Sequence, residues 1–254
     1  MDVDCHWSLP PTDPSLSGDE VHIWCACLNQ PDTFIGQMAQ TLSADELKRA
    51  ERFHFLEHRN QFILTHGLLR RLLANYTNIE ADRITFGYGR NGKPYLLEKF
   101  SREKIRFNLS HSNGYALFAF SCEREIGVDI EHICEFADMD KVADQVFSTN
   151  EMAILRSIPK PEKNEVFYKF WTRKEAYLKA TGEGLSAALE TIDMSSHPTN
   201  AAAFVDERGN SKDKKHWFVQ DLRPVSGFAA AFAVEGGKMR HSCRRIPKFC
   251  SIPD

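Results

Sequence analysis

The side chains of this chain that could do chemistry are densest in Phe170-Trp171-Thr172-Arg173-Lys174-Glu175-Ala176-Tyr177-Leu178-Lys179, where ionisable groups sit among large apolar ones. At helical period Phe167, Phe170, Trp171, Lys174 and Leu178 share one side, and Glu175 and Lys179 lie one above the other. Gly182 and Gly184 follow, where glycine can take the left-handed turn that ends a helix. By itself the stretch is satisfied by an amphipathic helix with a Glu–Lys pair on its wet side, worth roughly 0.3 kcal/mol.

A second group is Gly127-Val128-Asp129-Ile130-Glu131. On a strand Asp129 and Glu131 point to one face, Val128 and Ile130 to the other. Like charges ~4 Å apart at an effective dielectric near 20 repel by about 4 kcal/mol. Either that face is open to water, or a cation sits there. A hard divalent cation such as magnesium suits two carboxylates and a phosphate, and Glu175 could join them if its helix faces this strand.

Asn108-Leu109-Ser110-His111-Ser112 runs into an Asn113-Gly114 turn. Ser110 and His111 are neighbours on a strand and so point apart, which argues against a nucleophile–base pair, and no G-x-S-x-G elbow surrounds the serine. Phosphate binding by His111 and the hydroxyls, with imidazolium favoured beside an anion, is the functional alternative to an idle turn histidine. Gly89-Arg90-Asn91-Gly92-Lys93-Pro94 puts two cations on a permissive backbone, but Lys93 precedes proline, so it is a hairpin turn and not a P-loop. Arg49, Arg52 and Arg59 are either a phosphate clamp or a solvated helix face.

The elements that must position these groups follow in order. A lead-in over 1–20 gives way to a buried strand at Val21–Leu28. Ser43-Ala44-Asp45-Glu46 is a capping box opening a helical region, and a second helix carries Phe62, Ile63, Leu68, Leu69, Leu72 and Leu73. Strands are expected at Arg83–Phe86, Tyr95–Leu97, Ile105–Ser112, Tyr115–Phe120 and Gly127–Glu131. The order then repeats: a capping box at Ser148–Glu151, a break at Pro159 and Pro161, the long helix Glu162–Ala180, and strands near Thr191–Met194, Ala202–Val205, His216–Leu222 and Phe228–Val234. Ile105–Phe120 and Trp217–Val234 match in pattern. The fold expected is α+β, two similar pseudo-symmetric lobes (21–122 and 123–236) packed side by side, with a tail over 237–254 and the active site at their interface.

Composition sets the bounds. Of 254 residues, 42% are hydrophobic and 26% charged, which is ordinary globular usage. A net charge of -3 gives no basic field for nucleic acid; the basic clusters at Lys212–His216 and Arg240–Lys248 read as loop and tail. Seven cysteines without a CxxC pair suit buried thiols in a reduced compartment. With no apolar run of ~18 residues and no signal-peptide pattern, a soluble, cytoplasmic protein without membrane contact is expected.

Together, in this order, Gly89–Leu96 (GRNGKPYL), Phe107–Ser112 (FNLSHS), Gly127–Glu131 (GVDIE) and Phe170–Gly184 (FWTRKEAYLKATGEG) resemble the 4'-phosphopantetheinyl transferase family, in its longer two-lobed class. The resemblance runs from about Val21 to Val234. It implies transfer of phosphopantetheine from coenzyme A to a serine of an apo acyl- or peptidyl-carrier protein; two lobes in one chain lead to the expectation of a monomer. It also implies magnesium held by Asp129, Glu131 and Glu175, and Glu175 or a water it holds as base. Lys179 would stabilise phosphate charge. Ser110 and His111 would hold the ribose phosphate, Lys93 and Pro94 with Arg90 the adenine side, and Arg49 a further phosphate. Two rival readings are another magnesium-dependent phosphoryl transferase, for which further carboxylates or a Walker loop are missing, and a non-catalytic binding relic, which would be expected to have lost one of Asp129, Glu175 or Lys179.

Overall fold

The structure, a computed structural model, describes residues 7–9, 15–97, 104–184, 188–195, 202–206 and 216–248. Most of the expected lead-in, Cys5, Cys250, the end of the tail and the polar loop with nearly all of Lys212–His216 lie outside the described residues.

After a two-residue strand β1 (Trp7–Ser8), the first lobe runs β2 (Glu20–Cys27), α1 (Asp32–Ala39), α2 (Ala44–Glu51), α3 (Leu56–Thr77), β3 (Phe86–Tyr88), β4 (Pro94–Leu96), β5 (Ile105–Ser112) and β6 (Tyr115–Cys122). The second runs β7 (Ile126–His132), α4 (Met139–Val146), α5 (Thr149–Ser157), α6 (Lys163–Thr181), β8 (Ala202–Asp206), β9 (His216–Leu222) and β10 (Phe228–Glu235), followed by β11 (Arg240–Arg245). The two main sheets are ordered β1-β11-β2-β6-β5 and β7-β10-β9-β8. In each, the first strand of the lobe lies beside the last strand of its closing hairpin (β2-β6-β5 and β7-β10-β9), so the repeat seen in the sequence is a repeat of topology. The fold is α+β with two such lobes.

Both capping boxes form. Ser43 and Ser148 accept the amides of Glu46 and Glu151, whose carboxylates reach back to the serine amides. Four layers result. Val21, Ile23 and Cys25 of β2 with Leu117 and Ala119 of β6 meet Val128, Ile130, Phe218, Phe232 and Val234, burying the sheets against each other. The opposite faces carry α1–α3 on one side and α4–α6 on the other. Fully buried phenylalanines such as Phe118, Phe120 and Phe232 each gain about 1.5–3 kcal/mol from removal from water.

Three expectations need correction. Residues Thr191–Met194 are not a strand: a 3-10 turn covers Leu189–Thr191. Their backbone is claimed by side chains instead, because Lys174 donates to the carbonyls of Leu189 and Ile192, Arg173 to that of Met194, and Glu151 accepts the Met194 amide. The strand expected from Arg83 begins at Phe86, since Arg70 holds the carbonyls of Ala81 and Ile84 and a 3-10 turn spans Ala81–Arg83. Within the expected tail, Arg240–Arg245 is β11, which joins the first lobe's sheet parallel to β2 with Cys243 opposite Ile23. Its sequence hid this because Arg244 is the buried anchor: its guanidinium lies 5.2 Å from the Trp24 ring and bonds His22.

Cys25, Cys27, Cys122 and Cys134 are free thiols. Cys243 is disulfide-bonded, so the expectation of reduced thiols fails there.

Candidate active site

The lobes also meet along a seam between β5 and β7, edge strands of different sheets. At alternate positions on β5, three polar side chains face β7. Asn108 accepts the amide of Val128 at 3.0 Å, Ser110 donates to Asp129 at 2.9 Å, and Ser112 donates to Glu131 at 2.9 Å. Helix α6 lies across β7 from the outer side. That approach requires Gly127, where a Cβ would collide with the backbone of Ala176 and Ala180. The helix ends where expected, with Gly182 left-handed at φ 74°.

This packing brings Ser110, His111, Asp129, Glu131, Trp171, Glu175 and Lys179 around one open cleft of about 390 Å³. Val128 and Ile130 face the inter-sheet core, and Asp129 is only 1% exposed. The water-open alternative for the carboxylate face therefore fails at Asp129. A cation is indeed beside it: Lys179 reaches Asp129 Oδ1 at 2.6 Å and Ser110 Oγ at 2.8 Å. Asp129 Oδ2 and Glu175 Oε1 are buried without a hydrogen-bond partner.

The electrostatics follow from crowding. Burial first, then the Asp129 charge, raises both Glu131 and Glu175 above the ordinary carboxylate range; the Ser112 hydroxyl and Lys179 pull Glu131 back, and Lys179 pulls Glu175 back. The histidine behaves otherwise than the sequence suggested. Loss of hydration, then the Lys179 and His66 charges, lower His111, so the protein by itself favours neutral imidazole, not imidazolium.

For a cation, the donor set is all oxygen and includes two buried, unsatisfied carboxylate oxygens, the chemistry a hard divalent ion prefers. Among the described residues no group of three or more His, Cys, Asp or Glu is already drawn together as a metal cage. Asp129 and Glu175 thus fit such an ion, with Glu131 at the rim of the same cleft and phosphate oxygens left to complete its shell.

The remaining residues divide. Lys93 lines a neighbouring hollow of about 220 Å³ with Glu175 and Lys179, but its ammonium is held by Glu125 at 2.7 Å and by the Ala180 carbonyl at 2.7 Å. Pro94 and Arg90 line a hollow of about 310 Å³ next to it. Arg49 is exposed on α2 and does not line the cleft; it lies 5.3 Å from the centre of the Phe62 ring, which stacks on His66 at 4.0 Å. A larger hollow of about 780 Å³ between α5, the start of α6 and the ends of β9 and β10 contains none of the candidate residues.

Sequence reasoning did not single out Asn108 or Trp171 as site residues, and it took Ser112 only as one of the hydroxyls for phosphate. Asn108 and Ser112 carried a usable signal, the period-two alternation with Ser110. His66, whose charge acts on His111, carried none, because its position depends on how α3 packs.

Known proteins of one family match the chain across both lobes. Residues 125–233 match the family model of the 4'-phosphopantetheinyl transferase superfamily, and residues 30–123 match that of the 4'-phosphopantetheinyl transferase N-terminal region. The chain is 40% identical over 230 residues to the 4'-phosphopantetheinyl transferase HetI of Nostoc sp., covering 91% of this chain and 94% of that protein. It is 28% identical over 156 residues to the 4'-phosphopantetheinyl transferase Sfp of Bacillus subtilis, covering 61% and 67%. Over 233 residues it is 28% identical to the L-aminoadipate-semialdehyde dehydrogenase-phosphopantetheinyl transferase of Xenopus laevis, covering 85% and 75%. The chain belongs to the 4'-phosphopantetheinyl transferase family and is a transferase enzyme.

Proposed function

We propose that this enzyme transfers the 4'-phosphopantetheine moiety of coenzyme A to a serine hydroxyl of an apo acyl- or peptidyl-carrier protein, releasing adenosine 3',5'-bisphosphate, with magnesium as cofactor. The observation that carries the reading is the pair of buried, unpartnered oxygens on Asp129 and Glu175, set beside Lys179 where the lobes meet. Such a site is costly unless a charged ligand completes it.

In the step proposed, the serine oxygen bonds to the pantetheine-side phosphorus, and the bond from that phosphorus to the bridging oxygen breaks. The leaving group is the adenosine bisphosphate. Glu175 takes the serine proton, directly or through a water; its raised pKa brings it nearer the poise a general base needs at neutral pH. Lys179 is placed to meet the negative charge that develops on the phosphates. A bound magnesium ion, held by Asp129 and Glu175 with Glu131 beside them, would neutralise the pyrophosphate and orient the attacked phosphorus. Ser110 and His111 hold the ribose phosphate. On this reading Lys93 and Pro94, with Arg90 nearby, border the adenine end, and Arg49 gives only an outlying contact.

The partner is a carrier protein, usually an acidic surface, and the enzyme works as a monomer in the cytoplasm on this reading. Among the described residues no helix is long and apolar enough to cross a membrane. The test is chromatographic. With coenzyme A, magnesium and an apo carrier protein, adenosine 3',5'-bisphosphate should accumulate to about one equivalent per carrier, and none should form with a carrier whose target serine is changed to alanine. Release that ignores the carrier serine would mean pyrophosphate cleavage, and the transfer reading would be wrong.

A further inference from the structure

The seam between β5 and β7 points to a residue with a task in the reaction that its position outside the catalytic contacts conceals. Strand β5 pairs with β6, and β7 pairs with β10. Neither forms a backbone ladder with the other, so their registration depends on Asn108, Ser110 and Ser112. Asn108 bonds only backbone across the seam, and Ser110 already touches Lys179 and Asp129. Ser112 differs from both.

Its Oγ accepts the amide proton of His132 at 3.2 Å and lies 2.9 Å from Glu131 Oε2. A hydroxyl has one proton. With the amide donating to it, that proton goes to the carboxylate. The bond therefore has a fixed sense: it needs Glu131 as an acceptor and pins Oε2. Glu131 is half-buried and beside Asp129 on the same face, and Ser112 is the side chain that bonds it.

We infer that Ser112 is a positioning residue for cation binding, acting through Glu131: it fixes the rotamer of that carboxylate and ties it to the strand that carries Ser110 and His111. This rests on the reading of Asp129, Glu131 and Glu175 as the cation's ligands. Hydrogen-bond partners of ligating carboxylates are commonly worth ten- to a hundredfold in metal affinity, roughly.

Trp171 lines the same cleft, so manganese alone can be titrated by quenching of tryptophan fluorescence, with Trp171→Phe identifying the responding indole. Ser112→Ala should raise the manganese concentration for half-quenching roughly tenfold or more. At saturating metal its KM for coenzyme A should stay within about twofold, because phosphate contacts are untouched, and Ser112→Thr should restore affinity to within about threefold. In a Glu131→Gln background, Ser112→Ala should add no further loss. Unchanged manganese binding by Ser112→Ala, or a full additional loss on top of Glu131→Gln, would overturn the inference. If Ser112→Ala fails to fold by circular dichroism, Ser112→Thr and Ser112→Cys decide it: threonine must bind like serine and cysteine, a weak donor, must bind less tightly, and equal binding by both rejects the role. A native enzyme whose Trp171 never responds to manganese would bring down the cation site itself, and this inference with it.

Discussion

At the scale of single residues, the site is a contest between like charges that the fold does not relax. Asp129 keeps one oxygen on Lys179 and Ser110 and buries the other without a partner, while Glu175 does the same with its Oε1. Glu175→Gln should keep the fold and, at saturating magnesium and coenzyme A, lower turnover by about 10²-fold or more, roughly what a lost general base removes. A steady-state kcat near the native value would remove Glu175 from the base role. His111→Ala should act chiefly on binding, raising the KM for coenzyme A about tenfold while kcat changes little, which a KM-against-kcat comparison reads directly. Much of this was legible in the sequence. The same-face placement of Asp129 and Glu131 follows from strand period alone, as does the opposition of Ser110 and His111. The partner of Lys179 did not, since helical spacing pointed to Glu175, and only the packing of α6 on β7 shows that the ammonium reaches Asp129.

At the scale of elements, the cleft exists because α6 can lie almost in contact with β7. Gly127 is the residue that allows it, and Gly127→Ala would drive a methyl group into the backbone of α6. The helix would have to lift, at a cost of about 2–4 kcal/mol, and Glu175 and Lys179 would leave the carboxylates. Urea unfolding should show that loss, and transfer activity should fall with it; a variant of native stability would show that the helix does not rest on that backbone. The helix is also bolted from behind, where the buried Lys174 bonds Glu151 at 2.8 Å and two carbonyls of the 189–192 turn. These bolts explain what the sequence could and could not display. The capping boxes and apolar strands announce themselves through local pattern. The Thr191–Met194 segment, rich in strand formers, is held irregular by side chains that arrive from two helices.

At the scale of the whole molecule, two topologically matching lobes are joined in different ways at their two ends. On one side β5 and β7 are stitched by side chains beside the cleft. On the other side β11 adds to β2, with Arg244 bonded to a fully buried His22 that also bonds Tyr76. Burial first, then the Arg244 charge, against the opposing Glu20 carboxylate, pushes His22 down to about 4. The folded state therefore refuses a proton that the unfolded chain takes near pH 6.5. The stability held by neutral His22 is complete above that pH, is lost as pH falls from about 6.5 toward 4, and amounts to about 3 kcal/mol. Thermal melting should show native Tm falling across that window, and His22→Gln, less stable at pH 7, should give a flatter profile there; identical slopes would deny His22 its part. None of this junction was legible in RHSCRR, where the burying residue is an arginine.

The central claim is that the cleft between the lobes carries out a metal-assisted transfer to a carrier protein. Intact-protein mass spectrometry of an apo acyl carrier protein, incubated with this enzyme, coenzyme A and magnesium, tests it most directly. The account predicts a mass gain of one phosphopantetheine per carrier that disappears when a chelator is present. No gain on any of several apo acyl- and peptidyl-carrier proteins, with coenzyme A binding independently verified, would contradict it.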